Sequence, residues 1–295
     1  MQTKFKSSKW LPYLLLSPSV IIVFIFFIIP SSESLYYSFF RQNITGTRKL
    51  FVGFENFTRL FMDPEYIDSL IRSFLFTVIV VVFGLTISLG IAMIANKKLR
   101  FFNMYRTLLI WPYALSPAIT GMIWALMFNP TIGVASNLLN NIFGISFNYI
   151  NNSTHAMIFI CVAAIWKMLG YNIIFFLSGL QNVPPEILEA SIIDGANAWR
   201  RFRTILLPLI SPTTFFLIIM NTLYAFFQQF GLLHVVTEGG PGRATDLLVY
   251  KLYRDGFISM NTGYASAQSI ILLLIVAAVT FIQFKSSEKS VFYGT

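Results

Sequence analysis

Predominantly apolar residues fill six stretches of the chain, near 11–29, 74–95, 107–128, 156–180, 209–233 and 264–284, and polar residues gather between them. At 1.5 Å rise per residue, each stretch is long enough to cross a hydrocarbon core of about 30 Å as a helix. The pattern predicts an all-α integral membrane protein with six transmembrane helices over 11–284, a short segment 1–10 before them and a tail 285–295 after them. The first stretch follows Lys4, Lys6 and Lys9, as the core of a signal peptide would. It is long for such a core, and no small-x-small cleavage site precedes Glu33, so an uncleaved first span is expected.

Composition supports the bilayer: with 56% hydrophobic and 11% charged residues, the chain has too little polar surface to clothe a soluble globule of its size. A single cysteine, Cys161, and two histidines, His155 and His234, exclude a disulfide framework and leave no donor set for a Cys/His metal site. No carboxylate cluster suggests a metal centre either, and no cofactor is expected. The net charge of +9 changes the picture through its distribution. If both termini are cytoplasmic, the inner segments hold Lys4, Lys6, Lys9, Lys97, Lys98, Arg100, Arg106, Arg200, Arg201, Arg203, Lys285 and Lys289 against Glu186, Glu189, Asp194 and Glu288. Residues 97–106 carry four basic side chains and 129–154 none. The excess is therefore a topology signal of the positive-inside kind, and nucleic acid is not an expected partner.

The segment 181–208 interrupts the apolar pattern with charges. It opens on "NVPPE", in which Pro184 or Pro185 suits the first turn of a helix and Glu186 favours the positive end of its dipole. A short helix over 186–194 is predicted, with Ile187, Leu188 and Ile192 available for burial. Gly195 permits a turn or a close approach, Arg200, Arg201 and Arg203 follow, and Pro208 marks the entry to the fifth span. Two readings fit: an interfacial connector whose arginines hold lipid phosphates, or a docking helix for a cytoplasmic partner. Spacing alone does not separate them.

Lys167 lies inside the fourth stretch, roughly 16 Å from its start, with Tyr171 one turn on. In the fifth stretch Asn221, Tyr224 and Gln228 recur at i, i+3 and i+7 as one polar stripe. They can line a path for a polar solute, or act as structural glue, with Lys167 bonded to carbonyls freed near Gly170. Pro112 and Pro117 predict a kink in the third span. The loop 237–246, "TEGGPGRATD", fits a simple turn better than an anion nest completed by Arg243. Residues 31–72, with Tyr36, Tyr37, Phe39, Phe40, Phe51, Phe54, Phe57 and Phe61, predict amphipathic segments along the outer interface, a natural landing place for a partner.

Glu189, Ala190 and Ser191, then Gly195, and further on Ile205, Leu207 and Pro208, resemble the cytoplasmic "EAA" motif of permease subunits in binding-protein-dependent, ATP-driven importers. Ser191 stands where the family pattern has a second alanine. "SKWLPYLLLSPS", "VGFENFTRLF", "LPLISP" and "TEGGPGRATDLLVYKLYRDGF" extend the resemblance over nearly the whole chain. It implies an ABC type I importer permease of MetI-like architecture in a bacterial inner membrane. The charged segment would be the coupling helix, seated in a cleft of an ATPase subunit. Glu189 would meet a basic group there, Ala190 and Ser191 would allow close packing, Gly195 would form the turn, and Asp194 would belong to the same coupling segment. The partners implied are a cytoplasmic ATPase dimer, a second permease subunit and an extracytoplasmic substrate-binding protein. Within the family the resemblance is nearest to permeases for sn-glycerol 3-phosphate; a neutral sugar or oligosaccharide is the alternative. The chain lacks a GxxxxGK[ST] phosphate loop, so ATP hydrolysis is expected on another polypeptide and the chain is a translocation subunit, not an enzyme. A secondary transporter would show an internal repeat and a coupling carboxylate within a span, and neither is found.

Overall fold

The computed structural model describes residues 10–42, 49–96 and 102–290. In chain order its elements are α1 (Leu11–Ser38), the strands β1 (Phe40–Gln42) and β2 (Lys49–Phe51), α2 (Glu55–Met62), α3 (Pro64–Ala95), α4 (Phe102–Ala114), α5 (Pro117–Met127) and α6 (Val134–Phe143). There follow α7 (Ser153–Gln181), α8 (Pro185–Ile193), α9 (Ala198–Leu209), α10 (Ser211–Phe227), α11 (Phe230–Val236), α12 (Leu248–Tyr253) and α13 (Thr262–Ser290). The predicted charges at Lys4, Lys6, Lys9, Lys97, Lys98 and Arg100 lie outside the described residues, as do the side chains of Arg106, Glu288 and Lys289.

Among the described residues four helices, α1, α3, α7 and α13, are long and apolar enough to cross a membrane. Two bent pairs pass the same test together: Thr107–Ala114 with α5, turned by 107°, and α9 with α10, turned by 69°. The third stretch is thus not a kinked rod but two helices. Pro117 has no N–H to continue α4, and it holds Ser116 in extended backbone at φ −67°, ψ 155°. The fifth stretch also differs from one helix over 209–233: Pro212 bends its start, and α10 stops at Phe227 before the separate α11.

The chain divides into two compact units, residues 1–63 with 252–273, and residues 64–251 with 274–295. In the first, α1 runs on through Pro30 to Ser38 instead of ending near residue 29. It then turns into a hairpin that pairs Phe40 with Phe51 and Gln42 with Lys49, a small departure from an all-α reading. Asn56 ties this hairpin to α2 by donating to the carbonyls of Ser38 and Phe40 at 2.8 and 3.1 Å. Arg41 pairs with Glu55. Gly263 lies so close to the Phe40 carbonyl that a Cβ would collide with it.

The core of the second unit forms where α3, α7 and α10 meet, around Leu85, Ala92, Ile173, Phe176, Leu180, Val183, Ile210 and Leu217. Half-helix α4 presses onto α7 at Gly170, where an added Cβ would strike the carbonyl of Leu109 and come within 2.8 Å of the Ile110 Cα. Here glycine is required for the approach of two backbones, because no side chain at that position leaves room for it. The second half of α13 adds Phe284 against Phe215, ring centroids 5.3 Å apart, and Gln283 bonded to Thr222 at 3.0 Å.

Candidate functional site

The charged segment folds as a capped helix followed by a tight stop. Pro185 occupies the first turn of α8, as its missing N–H allows. At the other end the Gly195 N–H donates to Ile192 and the Ala196 N–H to Ser191, both at 3.0 Å, with Gly195 at φ +78°. This is the paired-bond stop that glycine permits and side chains resist. Asn197 then caps α9 by accepting the N–H of Arg200 at 2.8 Å, and Arg201 donates to the Ala196 carbonyl at 3.1 Å. The turn between the two helices is therefore fixed from both sides.

The faces of this segment divide sharply. Leu188, Leu206 and Leu207 pack on the core of the second unit, and Ile205 is half-buried. Ser191 is buried and its hydroxyl donates to the Leu188 carbonyl at 2.6 Å, so its small size serves the packing of α8 on its own chain. Glu189, Ala190, Asp194, Gly195 and Pro208 are exposed. Of the apolar residues predicted for burial, Ile187 and Ile192 remain exposed beside Ile193 and Trp199. A half-apolar surface carrying carboxylates and a rigid glycine stop is left open.

The second cluster is organised by proline. Ser-Pro steps occur at 17–18, 116–117 and 211–212, and each proline leaves the carbonyl four residues earlier without its helical donor. At the first and third, the serine takes over: Ser17 donates to Leu14 at 2.9 Å and Ser211 to Pro208 at 2.6 Å. At the second, the Ser116 hydroxyl instead accepts the Ile119 N–H at 3.2 Å, which starts α5. The orphaned carbonyl is Tyr113, and Lys167 of α7 reaches it with its ammonium at 3.3 Å. Lys167 is buried, with Nζ 5.3 and 5.8 Å from the ring centroids of Tyr113 and Tyr224. Among the described residues no carboxylate pairs with it. The lysine thus holds the break in the third span, at Tyr113 and not at carbonyls near Gly170.

Tyr171 joins this group through its ring, 5.0 Å from that of Tyr113. Asn221 is bonded reciprocally to Asn172 of α7, at 2.7 and 3.1 Å, and also to the Leu217 carbonyl at 2.8 Å. Gln228 does not extend the stripe: α10 ends at Phe227, Gln228 is exposed, and its neighbour Gln229 is the buried amide, within 3.4 Å of the Tyr224 carbonyl. Sequence reasoning missed Asn172, Tyr113 and Gln229. The position of Tyr113 four residues before Pro117 was the one available signal.

The loop 237–246 is a turn with its amides engaged internally. Gly240 donates to Thr237 at 2.7 Å and Thr245 to Gly239 at 3.1 Å, while the Thr245 hydroxyl bonds Thr237 and the Gly240 carbonyl at 2.7 and 2.8 Å. Arg243 pairs with Glu65, which Lys251 also approaches at 3.7 Å. The arginine is thus a strut between α3 and the loop.

Residues 9–291 match the family described as binding-protein-dependent transport system inner membrane component, and the chain belongs to that family. It is a multi-pass inner-membrane permease, a translocation component and not an enzyme. Among its relatives are the sn-glycerol-3-phosphate transport system permease proteins UgpA of Rhizobium meliloti and Agrobacterium fabrum, 46% and 45% identical over the whole of both chains. That of Pectobacterium atrosepticum is 42% identical over 97% of each. The fold is that of a chain in a bacterial alginate ABC transporter crystallised with its alginate-bound periplasmic protein: TM-score 0.81, 20% identity, covering 95% of this chain and 94% of that one.

Proposed function

We propose that this chain passes sn-glycerol 3-phosphate inward across the inner membrane, driven by ATP hydrolysed on separate subunits. The observation that carries the reading is full-length identity of 42–46% to permeases named for that substrate. Both termini lie in the cytoplasm in this reading, and six spans, two of them broken, form the domain over 11–284. A second permease subunit completes the pathway, and a substrate-binding protein delivers solute from outside.

The exposed surface of α8 and its glycine stop is the coupling element. Glu189 meets a basic group of the ATPase, Ile187, Ile192, Ile193 and Trp199 supply the apolar contact, and Asp194 and Gly195 shape the tip. Leu188, Ile205, Leu207 and Pro208 link that tip to the core around α7 and α10, so a displacement at the ATPase moves the crossing helices. Lys167, Tyr171 and Tyr224 are the path residues: the phosphate takes the ammonium that the Tyr113 carbonyl otherwise holds, and a charge-assisted bond is roughly twice as strong as a neutral one. Asn221 and Asn172 are interhelical glue.

Uptake by proteoliposomes holding this chain with its partner permease, ATPase and binding protein tests the reading. Labelled sn-glycerol 3-phosphate accumulates with ATP inside and competes with glycerophosphodiesters. Accumulation of neutral oligosaccharides with no entry of sn-glycerol 3-phosphate overturns it.

A further inference from the structure

Two short helices that follow breaks in the chain, α5 and α11, are built into one body. A Cβ added to Gly121 would come within 2.9 Å of the Val236 side chain and 3.3 Å of the Leu232 carbonyl. One added to Gly231 would come within 3.1 Å of the Ala118 nitrogen and 3.5 Å of the Pro117 Cβ, so the two helices start side by side. Glycine on both faces lets the backbones approach more closely than side chains allow, and neither helix moves without the other. The loop 237–246 is rigid with them: the N–H groups of Thr237 and Glu238 both donate to the Leu233 carbonyl, at 3.0 and 2.8 Å.

What holds this body to its surroundings is different in kind. Against α7 it is seated by rings, Trp124 on Phe159 and Trp166 at 5.8 and 5.7 Å, contacts that slide without stranding a polar group. Two long hydrogen bonds join them, from Tyr149 to the Ala125 carbonyl at 3.4 Å and from Ser153 to the Pro241 carbonyl at 3.5 Å. Against α3 the tie is charged: Arg243 of the loop pairs with Glu65. These two side chains are 49% and 46% exposed, so water screens the pair and it is weak. Lys251, only 2% exposed, approaches the other oxygen of Glu65 at 3.7 Å. Nearby, the Leu248 N–H donates to Ser73 of α3 at 2.8 Å, so the start of α12 is fastened to α3 separately from the loop.

We propose that α5, α11 and the loop 237–246 form a gate over the outer side of the pathway, and that the Arg243–Glu65 pair is the brace that holds it shut between transport events. This rests on the transport reading and orientation given above, since a carrier that works against a gradient is closed on one side whenever it is open on the other. The gate begins at the break after Tyr113, where Lys167 and the other path residues stand. A tie that parts in every cycle has to be weak in the closed state and leave no buried charge alone in the open one. The pair meets both conditions. Its exposure makes it weak, and Lys251 stays beside Glu65 when Arg243 leaves, while Arg243 passes to water.

Right-side-out membrane vesicles holding the complete transporter test this. Tyr113→Cys, at the break, is modified from outside by a membrane-impermeant methanethiosulfonate; Cys161 is buried and sets the background. Adding Glu65→Gln or Arg243→Gln should raise the modification rate roughly two- to fivefold, as loss of an exposed pair implies, and the double variant should rise no further. Unchanged rates in both single variants, or effects that multiply in the double variant, would overturn the brace. Independently, Glu65→Cys with Arg243→Cys, joined by a short bifunctional methanethiosulfonate, should stop uptake of sn-glycerol 3-phosphate until a reductant releases the link. Undiminished uptake by the linked protein would overturn the gate. If unmodified vesicles take up no sn-glycerol 3-phosphate at all, the substrate reading fails instead, and the modification rates still decide the brace.

Discussion

Replacing Lys167 by methionine separates its bond to the Tyr113 carbonyl from the phosphate contact proposed for it. Removing the ammonium relieves a burial that costs about 2.5–3.5 kcal/mol on insertion scales. The same change strands the Tyr113 carbonyl, which no N–H of Pro117 can serve, at about 1–3 kcal/mol. It also forfeits two ring contacts, about 0.5–1 kcal/mol each. A loss of about 2–5 kcal/mol against a gain of similar size leaves stability nearly unchanged. At about 2–4 °C per kcal/mol, a net change of at most about 2.5 kcal/mol should shift the melting midpoint of the assembled complex by no more than about 10 °C. Transport behaves differently, because a phosphate bound by a charge-assisted bond of about 1.5–3 kcal/mol loses its partner. Uptake of sn-glycerol 3-phosphate should fall roughly 10- to 100-fold in Lys167→Met and be largely kept in Lys167→Arg. Melting followed by size-exclusion profile and uptake in proteoliposomes read the two effects independently. A midpoint lowered by more than about 10 °C would refute the cancellation, and unchanged uptake in Lys167→Met would remove this lysine from the pathway.

Three further outcomes are expected. Gly195→Asp forces a side chain into left-handed backbone at the tip of the coupling turn; membrane insertion should persist while uptake and substrate-stimulated ATP hydrolysis are abolished, and normal uptake would argue against docking there. Gly170→Ala drives a methyl into the α4 backbone and should destabilise by about 1–3 kcal/mol, seen as a lower melting midpoint of the complex. Asn172→Leu or Asn221→Leu alone strands an amide at about 1–3 kcal/mol, whereas the double variant should recover most of the loss; an additive thermodynamic cycle would contradict the reciprocal pair.

The long elements were legible because they depend on length and apolar content alone. The expected 74–95 and 156–180 lie inside α3 and α7, and the short charged helix, expected over 186–194, runs over Pro185–Ile193. The break in the third span was visible only as two prolines. That Pro117 leaves Tyr113 unserved follows from counting four residues back, but the donor comes from 54 residues away and no helical period points to it. The Asn172–Asn221 pair was half visible for the same reason: a wheel shows which face is polar, not which neighbour it meets. Gln228 was misplaced because the periodicity was extended one residue past the end of α10, where the next residue no longer follows the 100° step. The hairpin strands are three residues each, too short for alternation to register.

A crossing element made of two rods with a joint differs mechanically from one continuous rod. Bending an intact helix through a large angle breaks several ladder bonds at once, each about 0.5–1.5 kcal/mol net. In the α4–α5 and α9–α10 pairs the ladder is already interrupted; Lys167 reaches the Tyr113 carbonyl at the first joint, and at the second the Pro208 carbonyl accepts from the Ser211 hydroxyl and from a backbone N–H. At the α4–α5 joint one side-chain bond reaches the break, and the close packing of α4 on α7 at Gly170 holds the angle with it. A limb at such a joint can turn as a rigid piece without melting, and the Lys167 bond together with the packing of α4 on α7 sets how stiff the joint is.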